Sequence, residues 1–276
     1  MPKFFFQNKD YILPTGSLMG VLNVTPDSFS DGGTYLDPEV ALARAEEMRD
    51  QGASIIDIGG ESTRPGSLPI SLEEELERIT AIAETLLERG FCISIDSNKI
   101  EVQAALLERG APIINDVFGG SESLFSLAEK HQAGLVLMHT SGTPAVMMEN
   151  TQYEDVVKEV RAFFEETFER ANRYKIPRIW FDPGIGFGKT LEQNLALMGN
   201  LKALRSPRWG LLLGASRKSW IDRVHRSAVN QRLGGSIAAA ICAVEQGVDL
   251  LRVHDVFETE QALFIYRQLR KKSEME

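Results

Sequence analysis

Short runs of apolar residues recur along the chain at fairly regular intervals. Each run is continuous rather than alternating, which is typical of strands buried on both faces of a parallel sheet. The runs are SLMGVLNVT from Ser17, SIIDIGG from Ser54, CISIDS from Cys92, PIINDV from Pro112, GLVLMH from Gly134, RIWFDPG from Arg178, GLLLGAS from Gly210 and LLRVHD from Leu250. The pattern therefore predicts a series of buried parallel strands.

Segments with helical periodicity and good helix formers separate these runs. Examples are PEVALARAEEMRDQG, SLEEELERITAIAETLLERG and KIEVQAALLERG, which end in glycine as a left-handed C-cap does. Repeated strand–helix pairs without a long linker favour a closed (β/α)8 TIM barrel, an α/β fold in a single domain, over an open doubly wound sheet. We expect residues 1–276 to form this one domain, with residues 1–16 as an N-terminal extension in a short hairpin.

Composition and charge narrow the classes of protein. A formal net charge of -9 argues against a general binder of nucleic acid or of anionic membranes. No run approaches the roughly 18 apolar residues of a membrane span, and the N-terminus lacks the features of a signal peptide. Cys92 and Cys242 lie in apolar sequence without metal-ligand spacing, so we interpret them as buried free thiols. The prediction is a cytoplasmic protein.

Most of the predicted strands end in polar side chains. A single such residue is explained equally well as the N-cap of the next helix, but the repetition favours a site at the carboxyl end of a barrel, where barrel enzymes bind substrate. The residues are Asn23, Asp57, Glu61, Thr63, Arg64, Asp96, Asn115, Asp116, His139, Asp182, Ser216, Arg217, Lys218, Arg252, His254 and Asp255.

Two groups emerge when these side chains are sorted by chemistry. Arg64, Arg252 and His254, with the Asn23 amide, offer donors and a ligand oxygen suited to a pyrophosphate and its divalent cation. The second group offers acceptors, an amide and a cation that match an amino-substituted pyrimidinone ring. It consists of Asp96, Asn115, Asp182 and Lys218.

Two other motifs fail on inspection. The segment DPGIGFGKT resembles a Walker A loop, but the first glycine of that motif would fall on Pro183. A barrel metallohydrolase would carry a His-x-His pair near the first strand, and Asn23 with Val24 and Thr25 provides none. The sequence therefore favours neither a P-loop nucleotide site nor a histidine-bound zinc centre.

Seven segments, in order from the first predicted strand to the last, closely resemble the dihydropteroate synthase family. They are GVLNVTPDSFSDGG (20–33), DIGGESTRPG (57–66), SIDSNK (94–99), IND (114–116), FDPGIGFGK (181–189), SRKS (216–219) and RVHD (252–255). The resemblance implies a transferase of folate biosynthesis. Such an enzyme condenses 6-hydroxymethyl-7,8-dihydropterin pyrophosphate with p-aminobenzoate to give 7,8-dihydropteroate and pyrophosphate, with Mg²⁺ as cofactor and as a homodimer.

The resemblance also implies roles for individual residues. The pterin contacts are Asp96, Asn115, Met138, Asp182, Phe187 and Lys218. The pyrophosphate contacts are Asn23, Arg64, Arg252 and His254, with Asn23 as the magnesium ligand. The p-aminobenzoate pocket and its closing loops involve Asp27, Phe29, Thr63, Arg64, Pro65, Lys218 and Ser219. Of all these, Asp27, Asp96, Lys218, Arg252 and His254 are implied to be catalytic.

Departures from the family and competing functions remain open at this point. Ser97 stands where the family usually has threonine, and Thr140 stands where methionine is usual. A corrinoid-linked methyltetrahydrofolate methyltransferase has a similar barrel, although Arg64 and the RVHD segment count against it. A pterin-binding paralogue without synthase activity is the alternative outside enzymes. The apolar stretch from Gly234 suits either a dimer interface or a helix packed on the barrel.

Overall fold

A computed structural model of the 276-residue chain describes residues 3–6, 9–24, 38–61, 69–142 and 151–273. Two short strands come first, β1 (Lys3–Phe6) and β2 (Lys9–Ile12), and they pair antiparallel. The hairpin is followed by Gly16, whose backbone N–H donates to Val248 O and Asp249 O at 3.1 and 2.9 Å. This contact connects the start of the first barrel strand to the start of the last.

Eight parallel strands close into a barrel, in the order β10-β3-β4-β5-β6-β7-β8-β9. They are β3 (Ser17–Asn23), β4 (Ala53–Gly59), β5 (Ile93–Asp96), β6 (Ile113–Asp116), β7 (Gly134–Met138), β8 (Ile179–Asp182), β9 (Gly210–Leu213) and β10 (Leu250–Val253). Each coincides with one of the apolar runs in the sequence, because a strand covered on both faces must be apolar along its whole length. The predicted TIM barrel in a single domain is confirmed.

Helices follow the strands and cover the barrel. They are α1 (Pro38–Asp50), α2 (Leu72–Glu88), α3 (Ile100–Glu108), α4 (Glu122–His131), α5 (Val156–Ala171), α6 (Leu191–Gly199), α7 (Ser219–Val224), α8 (Leu233–Glu245) and α9 (Val256–Ser273). Side-chain caps fix several N-termini: Ser71 accepts from Glu74 N, and Thr190 forms a capping box with Gln193. Strand β9 is followed by two α-helices, α7 and α8.

The packing of β8 against α5 shows how the fold aims side chains at the site. Phe181 of β8 stacks on Phe164 of α5 with ring centroids 4.6 Å apart, so Phe181 faces the helical layer. Successive side chains of a strand point to opposite faces. Asp182 therefore faces the barrel interior, at the carboxyl end of β8.

One expectation about the cysteines is wrong. Cys92 is buried as predicted, but Cys242 is exposed on α8. The apolar α8 buries Ser236, Ala239, Ala240 and Ala243 at helical spacing, and Cys242 lies outside that buried stripe. Both cysteines are free thiols.

Among the described residues, no helix combines the length and the apolar composition needed to cross a bilayer.

Candidate active site

The carboxyl ends of the barrel strands bring buried polar side chains together. They are Asp57, Asp96, Asn115, Asp116, His139, Asp182 and Ser216. Burial of so many polar groups costs free energy unless each is hydrogen-bonded or paired. The hydrogen-bond partners of these side chains therefore indicate which of them stabilise the fold and which are available to bind a ligand.

The floor of the site is a network around Arg252. Its Nε donates to Asp57 Oδ2 at 2.6 Å and its Nη2 donates to Asp96 Oδ2 at 2.7 Å. Asn115 Nδ2 donates to the same Asp57 oxygen at 3.1 Å. Strands β4, β5, β6 and β10 each contribute one of these side chains, so the network connects four strand ends. One guanidinium is thus shared by two carboxylates.

This sharing leaves the floor short of positive charge. Asp57 Oδ1 and Asp96 Oδ1 are buried and have no hydrogen-bond partner among the described residues. Burial raises the pKa of Asp96 to about 7, against the opposing effect of Arg252 and with a contribution from the Asp57 carboxylate. Burial lowers the pKa of Arg252, but the two carboxylates outweigh it and raise that pKa above its ordinary value. The floor is an acceptor-rich surface with unused oxygens.

Asp182 and Lys218 form the opposite wall. Asp182 Oδ1 accepts from Gly184 N at 2.7 Å, so it holds the turn after β8. The helix that follows is capped by Thr190, so the N-cap interpretation of Asp182 does not apply. A side chain at Gly214 would place its Cβ 3.1 Å from Asp182 Oδ2 and 3.8 Å from Lys218 Nζ. The carboxylate and the ammonium therefore flank one small space.

The surroundings of Lys218 combine a cation with a flat apolar surface. Lys218 Nζ donates to Ile185 O at 2.7 Å and lies 4.5 Å from the centroid of the Phe187 ring. Burial lowers the pKa of Lys218 to about 8, although Asp182 opposes that shift. The neighbouring Arg217 has a left-handed φ of 55° and is held by an ion pair with Asp255. This ion pair fixes the loop from which Lys218 projects.

On the β3 and β10 side lie Asn23 and His254. A Cβ at Gly59 would lie 3.8 Å from Asn23 Oδ1 and 3.5 Å from Asp96 Oδ2, so the amide adjoins the acidic floor. His254 Nδ1 is hydrogen-bonded to Ser216 Oγ at 3.1 Å. Arg252 of the predicted pyrophosphate group also joins the acidic floor, because its guanidinium binds Asp57 and Asp96.

Other polar strand ends have structural partners. Asp116 accepts from Gly120 N at 2.6 Å and holds the loop before α4. His139 packs edge-on against Phe163 with centroids 5.0 Å apart, and burial lowers its pKa to about 3. Glu61 pairs with Lys99, which also donates to Glu75 at 2.6 Å. These residues shape the loops and do not form part of the floor.

The remaining predicted residues divide into two sets. Met138 is buried at the end of β7, Phe187 is half-buried and Ser219 is exposed at the start of α7. The others lie outside the described residues: Asp27, Phe29, Thr63, Arg64 and Pro65. Both departures from the family make local contacts. Ser97 Oγ accepts from Lys99 N at 3.3 Å, and Thr140 Oγ1 donates to Gly142 O at 2.9 Å.

Sequence reasoning gave no role to two charged residues that the structure places at the site. Asp57 is 0% exposed and anchors both Arg252 and Asn115. A lone acid in the run SIIDIGG was the available signal, since an unpaired charge would not be buried in an apolar strand. Lys189 is 1% exposed beneath the turn that carries Phe187. Its place at the end of the FDPGIGFGK segment was the available signal, but the sequence did not show that its amine is buried.

Comparison with known proteins agrees with this geometry. The model of the pterin binding enzyme family matches residues 19–254. The dihydropteroate synthase of Escherichia coli strain K12 is 42% identical over 265 residues, which span 95% of this chain and 94% of the relative.

Solved structures show the same similarity. The Yersinia pestis dihydropteroate synthase, in a sulfonamide drug complex, superposes with a TM-score of 0.90 at 38% identity and covers 98% of this chain and 100% of its own. The Thermus thermophilus enzyme in complex with 4-aminobenzoate has a TM-score of 0.87 at 40% identity, with 97% and 100% of the two chains covered. Its complex with 6HMPPP has a TM-score of 0.85 at 37% identity, with 98% and 100% covered. The chain therefore belongs to the dihydropteroate synthase family of pterin-binding enzymes.

Proposed function

We propose that the protein condenses 6-hydroxymethyl-7,8-dihydropterin pyrophosphate with p-aminobenzoate and releases 7,8-dihydropteroate and pyrophosphate. It is a transferase of folate synthesis, like its relatives. The observation that carries the proposal is the barrel floor. There an acceptor-rich network around Arg252 faces a carboxylate and a lysine across one small space. This arrangement offers complementary partners to both the donors and the acceptors of a pterin ring.

The pterin would bind between the two walls. Asp182 and Asn115 supply an acceptor and an amide to the ring edge, and Lys218 supplies a cation to its carbonyl oxygen. The ring faces would contact Met138 and Phe187. The side chains of Asp182 and Asn115 are buried, so hydrogen bonds to them would form away from bulk water, where they discriminate strongly between ligands.

The pyrophosphate would bind on the side of Asn23, Arg252 and His254. Mg²⁺ usually keeps several waters and binds through one or two side chains together with substrate phosphates. The oxygen chemistry of Asn23, next to an acidic floor, fits such a substrate-borne ion. Among the described residues, no group of three His, Cys, Asp or Glu side chains would hold a metal. When bound, Mg²⁺ would neutralise charge on the leaving pyrophosphate.

The reaction then needs little proton transfer from the protein. The bond between the methylene carbon and the pyrophosphate oxygen breaks first, with its electron pair leaving on pyrophosphate. The amine of p-aminobenzoate attacks the cationic carbon and loses a proton to solvent. Arg252 and His254 stabilise the departing anion, and the Asp96 carboxylate stabilises the cation. The Oδ1 of Asp96, which has no hydrogen-bond partner in the part of the chain that the structure describes, suits this role.

The p-aminobenzoate pocket combines described and undescribed residues. Lys218 and Ser219, at the start of α7, would lie at its edge. We assign the closing loops to Asp27, Phe29, Thr63, Arg64 and Pro65, on the basis of family membership. Arg64 would also contact the pyrophosphate, and Asp27 would act on the reacting groups.

A homodimer is the assembly that we propose. Four exposed apolar side chains lie along one side of α9, at spacings of seven, eight and twelve residues from the first: Phe257, Phe264, Ile265 and Leu269. Such a patch favours a self-complementary interface. Light scattering should show a dimer, and a Phe264→Ser, Leu269→Ser double variant should be monomeric.

We place the protein in the cytoplasm, which agrees with its two free thiols.

A coupled assay for pyrophosphate tests the function directly. Pyrophosphate should be released from the dihydropterin pyrophosphate only when p-aminobenzoate is present, and dihydropteroate should accumulate in equal amount. Pterin binding without release would identify a binding paralogue. Methyl transfer from methyltetrahydrofolate to a corrinoid, without pyrophosphate release, would identify the competing enzyme class and overturn the proposal.

A further inference from the structure

Lys189 is a buried lysine, and no carboxylate of the described residues lies within hydrogen-bonding distance of its amine. Its side chain is 1% exposed, and its Nζ donates to three backbone oxygens: His139 O at 3.3 Å, Gly184 O at 3.0 Å and Phe187 O at 2.9 Å. Charged lysines are almost never fully buried unless paired. A protonated amine has three N–H donors, which matches the three carbonyls. The geometry therefore fits an ammonium that binds backbone.

The three carbonyls belong to two loops of the site. His139 follows β7, while Gly184 and Phe187 lie in the turn after β8. The loops touch through backbone, since a Cβ at Gly184 would lie only 2.0 Å from His139 O. Gly184 also has a φ of 68°, so only glycine fits there without strain. Lys189 joins the loops at this contact.

The same turn is held from the other side by pterin-site residues. Lys218 Nζ donates to Ile185 O at 2.7 Å, and Asp182 accepts from Gly184 N at 2.7 Å. Asn194 of α6 completes the anchoring, with its Oδ1 accepting from Gly186 N at 2.7 Å. Each residue from Gly184 to Phe187 thus has a backbone group bound by one of four side chains. A shift of this turn would move the Phe187 ring and the Lys218 amine together.

Charge adds a second connection. Burial lowers the pKa of Lys189 to about 7, Asp182 opposes that shift and Lys218 adds to it. Lys189 thus interacts electrostatically with the same carboxylate as Lys218. Its positive charge lies near the carboxylate that would accept hydrogen bonds from a pterin.

We propose that Lys189 is a positioning residue of the pterin slot, whose buried ammonium joins two rim loops and thereby sets where Phe187, Lys218 and Asp182 stand. The inference rests on the proposed function, because it assumes that these three residues bind the pterin. It assigns Lys189 no contact with substrate. A lysine that served only to fill space beneath the turn would be replaceable by methionine, which has nearly the same length and no charge.

The test is Lys189→Met, measured for binding and turnover. Displacement of a contact by about 1 Å can cost up to ~10²-fold, so the KM and the calorimetric Kd for the dihydropterin pyrophosphate should rise at least about tenfold. The KM for p-aminobenzoate should rise less, because Lys218 is the only one of the three positioned residues that we assign to that pocket as well. Lys158→Met, at a lysine whose side chain is 84% exposed, is the matched control and should change neither constant.

Stability needs its own control, because loss of a buried ammonium also weakens the fold. Leu106→Ala, at a fully buried position on α3, removes stability outside the site and should leave the pterin KM unchanged. If Lys189→Met does not fold by circular dichroism, Lys189→Gln, which keeps two N–H donors, takes its place with a smaller rise in KM. An unchanged pterin Kd and KM in the folded variant would overturn the inference. Failure of the proposed function appears separately, as wild-type protein that releases no pyrophosphate.

Discussion

Two groups of buried and half-buried charges lie at the candidate site, and their balances of positive and negative charge are opposite. On the floor, the carboxylates of Asp57 and Asp96 share the one guanidinium of Arg252. On the wall, the ammonium groups of Lys189 and Lys218 both act on the one carboxylate of Asp182. The floor therefore has an excess of negative charge, and the wall has an excess of positive charge.

This contrast shows how one cavity could bind a substrate that needs negative charge at one point and positive charge at another. A carbon that becomes cationic is stabilised beside excess negative charge, and a ring carbonyl is held by excess positive charge. In both groups burial produces the pKa shifts, so neither would persist in an open, solvated cleft. Substitutions that neutralise one group should impair one demand more than the other.

Removal of Arg252 should have the largest effect. Arg252→Ala leaves Asp57 and Asp96 without their shared cation and takes a donor from the leaving pyrophosphate, so kcat should fall by ~10²–10³. Breaking such a pair from one side should also destabilise the protein by about 3–5 kcal/mol, measurable by urea unfolding. Steady-state pyrophosphate release gives the catalytic value. Turnover within a few fold of wild type would contradict the assignment.

Arg252→Lys is the matched control for this prediction. It keeps the positive charge but cannot bind two carboxylates through separate nitrogens of a planar group. We expect it to restore most of the stability and only part of kcat. Equal recovery of both would mean that charge alone, without the bridge between Asp57 and Asp96, is what the floor requires.

The sequence predicted the barrel and most of the floor, for a physical reason. Strands covered on both faces produce continuous apolar runs, so β3 to β10 could be located to within three residues at either end. A polar residue at the end of such a run then lies at the carboxyl end of the barrel. Asn23, Asp96, Asn115, Asp182 and Arg252 were therefore correctly placed at strand ends.

Partner choice could not be predicted in the same way. Arg252 lies 195 positions from Asp57 in sequence, and only the closure of β10 onto β3 brings them together. The exposure of Lys189 and of Cys242 could not be predicted from the sequence either. Cys242 is exposed because it lies outside the face of α8 that packs on the barrel, whereas Lys189 is buried because the loops after β7 and β8 meet around its amine.

The second prediction concerns the wall. Asp182→Asn keeps an oxygen that can accept from Gly184 N. It removes the negative charge that partly neutralises Lys189 and Lys218. A pterin would lose a charged acceptor, which should weaken its Kd by about ten- to a hundredfold. Calorimetry with the dihydropterin pyrophosphate measures this loss. Unchanged affinity would show that Asp182 only holds the turn; Glu192→Gln, on the exposed start of α6, is the control.

The smallest expected effect is a shift in pH dependence. In kcat/KM for the dihydropterin pyrophosphate, Asp96 must be ionised, so activity should rise as pH increases through about 7. Lys218 must be protonated, so activity should fall as pH increases through about 8. The result is a narrow bell, whose rising limb belongs to the floor and whose falling limb belongs to the wall.

Asp57→Asn separates the two limbs. The Asp57 carboxylate helps to raise the pKa of Asp96, so its removal should move the rising limb to lower pH, by about one unit. Arg252 would then pair with Asp96 alone, which acts in the same direction. The falling limb should move less, because burial, Asp182, Arg252 and Asp96 are what shift the pKa of Lys218. Asp116→Asn, at a carboxylate with a weaker effect on Asp96, is the control and should shift the rising limb less. A shift of both limbs together would mean that floor and wall titrate as one unit rather than as two opposed groups.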